Sequence, residues 1–230
     1  MTRGAFRQEM QEVKNEILLL GSMVEDAVMK SVSALRDNDP EHSRLIILND
    51  KVINRKSYEI EIYIVMLMAT QQPAARDLRT LASSLGICTE LERVGDYAKG
   101  IANLNIRSGG LGFPKMMRDI YVMGEKAVDM LHRAMTTFAD EDFQSASDII
   151  PQDDLIDECY TRLYQDAVNS VLENAGNIER ANYVIWAAHN LERLGDRATN
   201  ICERVMYMVT GNIPEAFIVT GQLKLPNESQ

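Results

Sequence analysis

Apolar positions recur at helical spacing along almost the whole chain, and strand alternation is nearly absent. Breakers cut this pattern into six long pieces. The first predicted helix runs from about Phe6 to Arg36 and ends at Asp37-Asn38-Asp39-Pro40. Pro40 suits the first helical position behind an Asp39 N-cap, opening a second helix to about Thr70. Gln71-Gln72-Pro73 turns the chain into a third, from Ala74 to about Arg107. Ser108-Gly109-Gly110-Leu111-Gly112-Phe113-Pro114 follows, rich in breakers and close to the midpoint. The fourth helix extends to about Ala139, and Asp140 offers a cap for the fifth. Gly176-Asn177 separates the fifth from a sixth that reaches about Thr210. Pro151 falls inside the fifth and is expected to kink or interrupt it. Short turns between long helices make neighbours antiparallel. The expected fold is therefore all-α: six long helices in two pseudo-symmetric three-helix bundles, over residues 1–107 and 114–211. The tail, 212–230, has no strong helical pattern and is expected to be loosely ordered.

The halves are copies of one unit. Residues 90–103 read ELERVGDYAKGIAN and residues 190–203 read NLERLGDRATNICE. At an offset of 100, Leu91, Glu92, Arg93, Gly95, Asp96, Ala98 and Ile101 reappear as Leu191, Glu192, Arg193, Gly195, Asp196, Ala198 and Ile201. Asp50 and Asn54 of the second helix correspond to Asp153 and Asp157 of the fifth at an offset of 103, which predicts a turn shorter by three residues in the second copy.

On a helical wheel Glu92, Asp96 and Asn103 fall within about 40° of one another, away from the core stripe of Leu91, Val94, Ala98 and Ile101. The sixth helix repeats this with Glu192, Asp196 and Glu203, with Asn200 slightly to one side. Asp50, Asn54 and Glu61, and Asp153 and Asp157, carry acids on the neighbouring helices. An acidic stripe opposite an apolar one is usually a solvated face. Here the pairs recur in both halves and on consecutive helices, and like charges four residues apart destabilise a helix unless neutralised. Arg93 and Arg193 are candidate neutralisers; a hard cation held by oxygen ligands is the other. The residues alone leave both open. Gly95 and Gly195, each costing about 1 kcal/mol inside a helix, point to close approach of a neighbour.

Composition narrows the functional classes. Few prolines (6), few aromatics (6%) and 13 methionines suit packed helices. A formal charge of −10 argues against nucleic-acid or anionic-lipid binding, which require basic fields. No secretory signal is evident, and the longest apolar run, Ile62 to Ala69, is far too short for a bilayer, so a cytoplasmic protein is expected. Cys88, Cys159 and Cys202 form no metal or redox pair and read as buried reduced thiols. His42, His132 and His189 have no Ser or Cys partner in a recognisable arrangement, and there is no phosphate-cradling loop. No catalytic residue is assigned.

The paired segments LERVGDYAKGIAN and NLERLGDRATNICE, with Gln71–Arg79 and the opening helix Phe6–Leu35, resemble the PhoU family over residues 1 to about 211. The resemblance implies two three-helix bundles, often dimeric, without catalysis. It implies a cytoplasmic negative regulator of the phosphate regulon, acting with the high-affinity phosphate ABC transporter and a sensor histidine kinase when phosphate is plentiful. Such a protein is peripheral to the membrane through these partners alone. The resemblance also implies multinuclear iron or zinc on outer grooves, with magnesium or manganese as alternatives. The implied metal residues are Asp50, Asn54, Glu92 and Asp96 in the first half, and Asp153, Asp157, Glu192, Asp196, Asn200 and Glu203 in the second. Asn54, Gly100 and Asn103 stand where the second half has Asp157, Asn200 and Glu203, so the second site is expected to bind metal more tightly. The other readings are a regulator of a different transporter and a metal-dependent phosphohydrolase.

Overall fold

The computed structural model describes residues 3–212; the tail beyond lies outside the described residues. The described part is built of six long helices and one short one, with no strand among them. They are α1 (Arg3–Asp37), α2 (Pro40–Gln71), α3 (Ala75–Ser108), α4 (Pro114–Asp140), α5 (Phe143–Ile149), α6 (Asp154–Glu173) and α7 (Ile178–Thr210). The first turn behaves as its residues dictate. Asp39 accepts from the backbone N–H groups of Glu41 (3.1 Å) and His42 (3.0 Å), and Pro40 takes the position where a missing N–H costs nothing. Pro151 interrupts the predicted fifth helix. It lies in a 3₁₀ turn, Ile150–Asp153, that separates α5 from α6.

Two local expectations are corrected. The cap of α5 is Asp142, which accepts from Ser145 N at 3.1 Å, and not Asp140. Helix α4 continues through Asp140 and stops where Glu141 turns left-handed at φ 55°. The second copy's turn is also no shorter than the first. Residues 174–177 link α6 to α7, while residues 72–74 link α2 to α3. The three-residue deficit falls instead on the tip of α7, which starts at Ile178 where the repeat of Ala75 would place residue 175.

Helices α1 and α3 of the first half meet α4 and α7 of the second, with α2 and α6 packed on the flanks. Helices α3 and α7 run antiparallel. Gly86 faces the Arg204 side chain, Gly100 faces the Asn190 amide, and the Arg193 guanidinium lies 4.6 Å from the Tyr97 ring centroid. One contiguous apolar core runs through both halves and includes Ile17, Leu20, Leu91, Ile101, Leu131, Phe138, Leu191 and Ile201. Burying each such side chain contributes about 1.5–3 kcal/mol. The connection from α3 to α4 is anchored by buried Leu111, and Gly110 adopts φ 101°, open only to glycine at low cost. Cys88, Cys159 and Cys202 are all buried free thiols.

Asn105 ties the α1–α2 turn to α3. Its buried Nδ2 donates toward Ala34 O (3.0 Å), Asp39 O (3.0 Å) and Ser43 Oγ (2.9 Å). Asn105→Leu leaves those acceptors buried without a donor. It is expected to lower the unfolding free energy by about 1–3 kcal/mol, read as a lower urea midpoint with unchanged slope; an unchanged midpoint would show that water or neighbours take over the bonds.

Candidate functional site

The repeated sequence places an acidic groove on each half, between α2 and α3 and between α6 and α7. Each groove follows from one apolar stripe. Leu91, Val94, Ala98 and Ile101 face the core, so Glu92 and Asp96 face away toward α2; Leu191, Leu194, Ala198 and Ile201 do the same for Glu192 and Asp196. The inserted glycines bring the helices close. A Cβ on Gly95 would stand 3.1 Å from Ile53 Cγ2, and one on Gly195 would overlap the Asp153 carboxylate.

In the first half Asp50 is only 3% exposed, deeper than the outer groove the wheel suggested. A charge at that depth requires a partner, and Lys99 Nζ supplies it at 2.7 Å from Asp50 Oδ2. The same ammonium lies 3.7 Å from Asp96 Oδ1, and Asn54 Nδ2 donates to Asp50 Oδ2 at 3.3 Å. The bond to Asp50 raises the Lys99 pKa. Burial, then Asp96, Asp50 and Glu61, raise the Glu92 pKa, which Arg93 offsets in part.

The second half brings Asp153, Asp157, Glu192 and Asp196 together with less internal compensation. Burial first, then the charges of Asp157, Asp196, Glu192 and Asp154, push the Asp153 carboxyl up to about 6. Asp157 and Glu192 are also raised, by burial and by Asp196. His189 Nδ1 stands 3.0 Å from Glu192 Oε2, and Arg197 Nη2 stands 3.7 Å from Asp196 Oδ2. Arg197 is shared, since its Nη1 pairs with Glu90 of α3 at 3.0 Å. Asp153 Oδ1, Glu192 Oε2 and Thr199 Oγ1 are buried without a hydrogen-bond partner. Thr199 occupies the position equivalent to Lys99.

The predicted neutralisers are therefore different ones. Arg193 is spent on the Tyr97 ring, and the cations at the acids are Lys99, His189 and Arg197. Lys99 was missed in the sequence although a signal existed: it lies three residues beyond Asp96 and seven beyond Glu92, on the same face. Asn200 Nδ2 donates to Glu90 Oε2 at 3.3 Å, which draws it into the α3–α7 interface. Glu203 lies partly buried seven residues beyond Asp196 on the same helix face. Among the described residues, no three His, Cys, Asp or Glu side chains close into a ready-made metal cage. The second groove nonetheless fits a cation: it offers oxygen donors alone, two of its carboxylate oxygens are orphaned, and its acids repel one another.

For an acid whose folded pKa lies above its ordinary value, the folded state holds the proton more tightly, so stability falls as pH rises through that interval. In a chelator, the chain should lose stability between pH 3.8 and about 6, and Asp153→Asn should flatten that loss. Thermal unfolding of both proteins across this range checks it; parallel curves would refute it.

Comparison with known proteins agrees with this architecture. The family model for the PhoU domain matches residues 17–104 and again 120–205, one match per half. A Clostridium acetobutylicum protein named phosphate-specific transport system accessory protein PhoU homolog is 32% identical over 92% of this chain and 97% of its own. The Escherichia coli phosphate-specific transport system accessory protein PhoU is 27% identical, over 90% and 86% respectively. The crystal structure of PhoU from Pseudomonas aeruginosa superposes with a TM-score of 0.85 at 32% identity, covering 90% of this chain and all (100%) of that one. The Streptococcus pneumoniae phosphate transport system regulatory protein PhoU gives 0.83 at 30% identity, covering 90% and 98%. With the duplicated signature, the helical architecture and matches along nearly the whole length in agreement, the chain belongs to the PhoU family.

Proposed function

We propose that this chain is a regulatory accessory of a phosphate-uptake system, working by contact with other proteins and not by catalysis. The observation that carries this reading is its agreement, over 92% and 90% of its length, with relatives named as accessory proteins of phosphate-specific transport. In this reading it represses the phosphate response when phosphate is plentiful, standing between the high-affinity phosphate ABC transporter and the sensor histidine kinase. It acts from the cytoplasm as a homodimer and reaches the membrane through its partners. Among the described residues no helix is long and apolar enough to cross a bilayer.

The acidic grooves have separate parts in this reading. Asp153, Asp157, Glu192 and Asp196 hold a divalent cation, with Asn200 and Glu203 at the edge of the site. Iron or zinc, or magnesium or manganese, would relieve the mutual repulsion of these carboxylates and tie α6 to α7. In the first groove Lys99 already provides a positive charge to Asp50 and Asp96, and an amide, Asn54, replaces one acid. Glu92 and Asp96 therefore bind a cation more weakly.

Deleting the gene should raise alkaline-phosphatase reporter activity in phosphate-replete cells of the source organism. Unchanged activity would favour the regulator of a different transporter. Turnover of a generic phosphate ester, abolished by Asp196→Ala, would replace the contact reading with a metal-dependent hydrolase. For the grooves, Mn²⁺ or Zn²⁺ titration followed by calorimetry should show Asp196→Ala losing far more metal than Asp96→Ala, and Lys99→Thr gaining first-groove binding. Equal losses would refute the asymmetry.

A further inference from the structure

At the end of the molecule where α1 and α3 begin, a cleft of about 430 Å³ opens between α1, α3, the end of α4 and the end of α7. That volume lies within the range of small-molecule sites. Its apolar surface comes from Phe6, Met10, Phe138 and Met208, and its rim carries Arg7, Lys14 and Arg76. The wall formed by Ala74, Arg76, Asp77 and Thr80 belongs to the Gln71–Arg79 segment, which the acidic grooves do not use.

Several features of this cleft point to an anion. Ser84 lines it, is 2% exposed, and its hydroxyl has no hydrogen-bond partner among the described residues. A hydroxyl buried to that degree is normally bonded, so it awaits an acceptor or donor from a ligand. The 34-residue helix α3 starts here behind Ala74, which provides no side-chain cap, leaving first-turn N–H groups available. A carboxylate already occupies part of the cationic rim: Glu141 Oε1 lies 3.5 Å from Lys14 Nζ, and Glu141 Oε2 lies 3.1 Å from Arg76 Nη2. Arg7 has no ion-pair partner among the described residues.

We propose that this cleft binds a nucleoside monophosphate. The base and sugar lie over the apolar side chains, and the phosphate takes the place of the Glu141 carboxylate between Lys14 and Arg76, with Arg7 and the start of α3 beside it. The three cations are opposed by Asp77 and Glu141, so the cleft favours one phosphate over a longer, more highly charged chain. The proposal stands apart from phosphate regulation and from the acidic grooves.

Calorimetric titration of the full chain with adenosine monophosphate tests it, with adenosine and inorganic phosphate as controls. Saturable binding of the monophosphate is expected, at least tenfold tighter than either control. Arg7→Ala with Arg76→Ala should weaken it at least tenfold with the thermal midpoint unchanged. Glu141→Gln should strengthen it, because Lys14 and Arg76 are then released. Absence of binding at millimolar nucleotide would overturn the proposal, as would equal binding of adenosine or weaker binding by Glu141→Gln.

Discussion

Helices α3 and α7 lie antiparallel along one another, and the positions of the other elements follow from that pairing. Residue 86 faces 204, 97 faces 193, 100 faces 190, and 90 faces 197 and 200. The contact needs small or flat groups at close approach, which is why glycine stands at 86 and 100 and an arginine lies flat on a tyrosine. Once this spine is set, each helix has one face against its partner and core, and one left for its outer neighbour. That remaining face holds the acids.

The duplication has kept the frame and changed the electrostatics. Both halves retain the acid pair of α3 or α7 and the glycine that lets α2, or the 3₁₀ turn before α6, come near. They differ at Asn54 against Asp157 and at Lys99 against Thr199. These two exchanges make the first groove two charges less negative. A buried carboxylate such as Asp50 is stable there because an ammonium touches it, whereas Asp153 stays partly open and reluctant to ionise.

Much of this was legible in the residues, for local reasons. The helices, the Asp39 cap and the break at Pro151 depend on neighbours a few positions away, and the acidic stripes on helical periodicity. What remained hidden depends on partners distant in sequence. Arg193 follows a glutamate and looks like its counter-ion, but its ring partner is Tyr97 in the other half. Asp50 looks like a surface acid until Lys99, 49 residues on, covers it. Asp140 and Asp142 are equally plausible caps on paper; the choice falls to Asp142 because Glu141 takes the left-handed turn and closes α4 through its N–H to Thr137 O.

The three residues missing from the second copy lie at the tip of α7, before its first contact with the spine. A helix turns about 100° per residue, so the same loss further along would have rotated Glu192 and Asp196 by roughly 60° out of their groove. At the tip it changes only length. Residues 174–177 therefore mark a place where the chain tolerates altered spacing without losing phase, and where a short insertion would leave the acids, the spine and the core aligned.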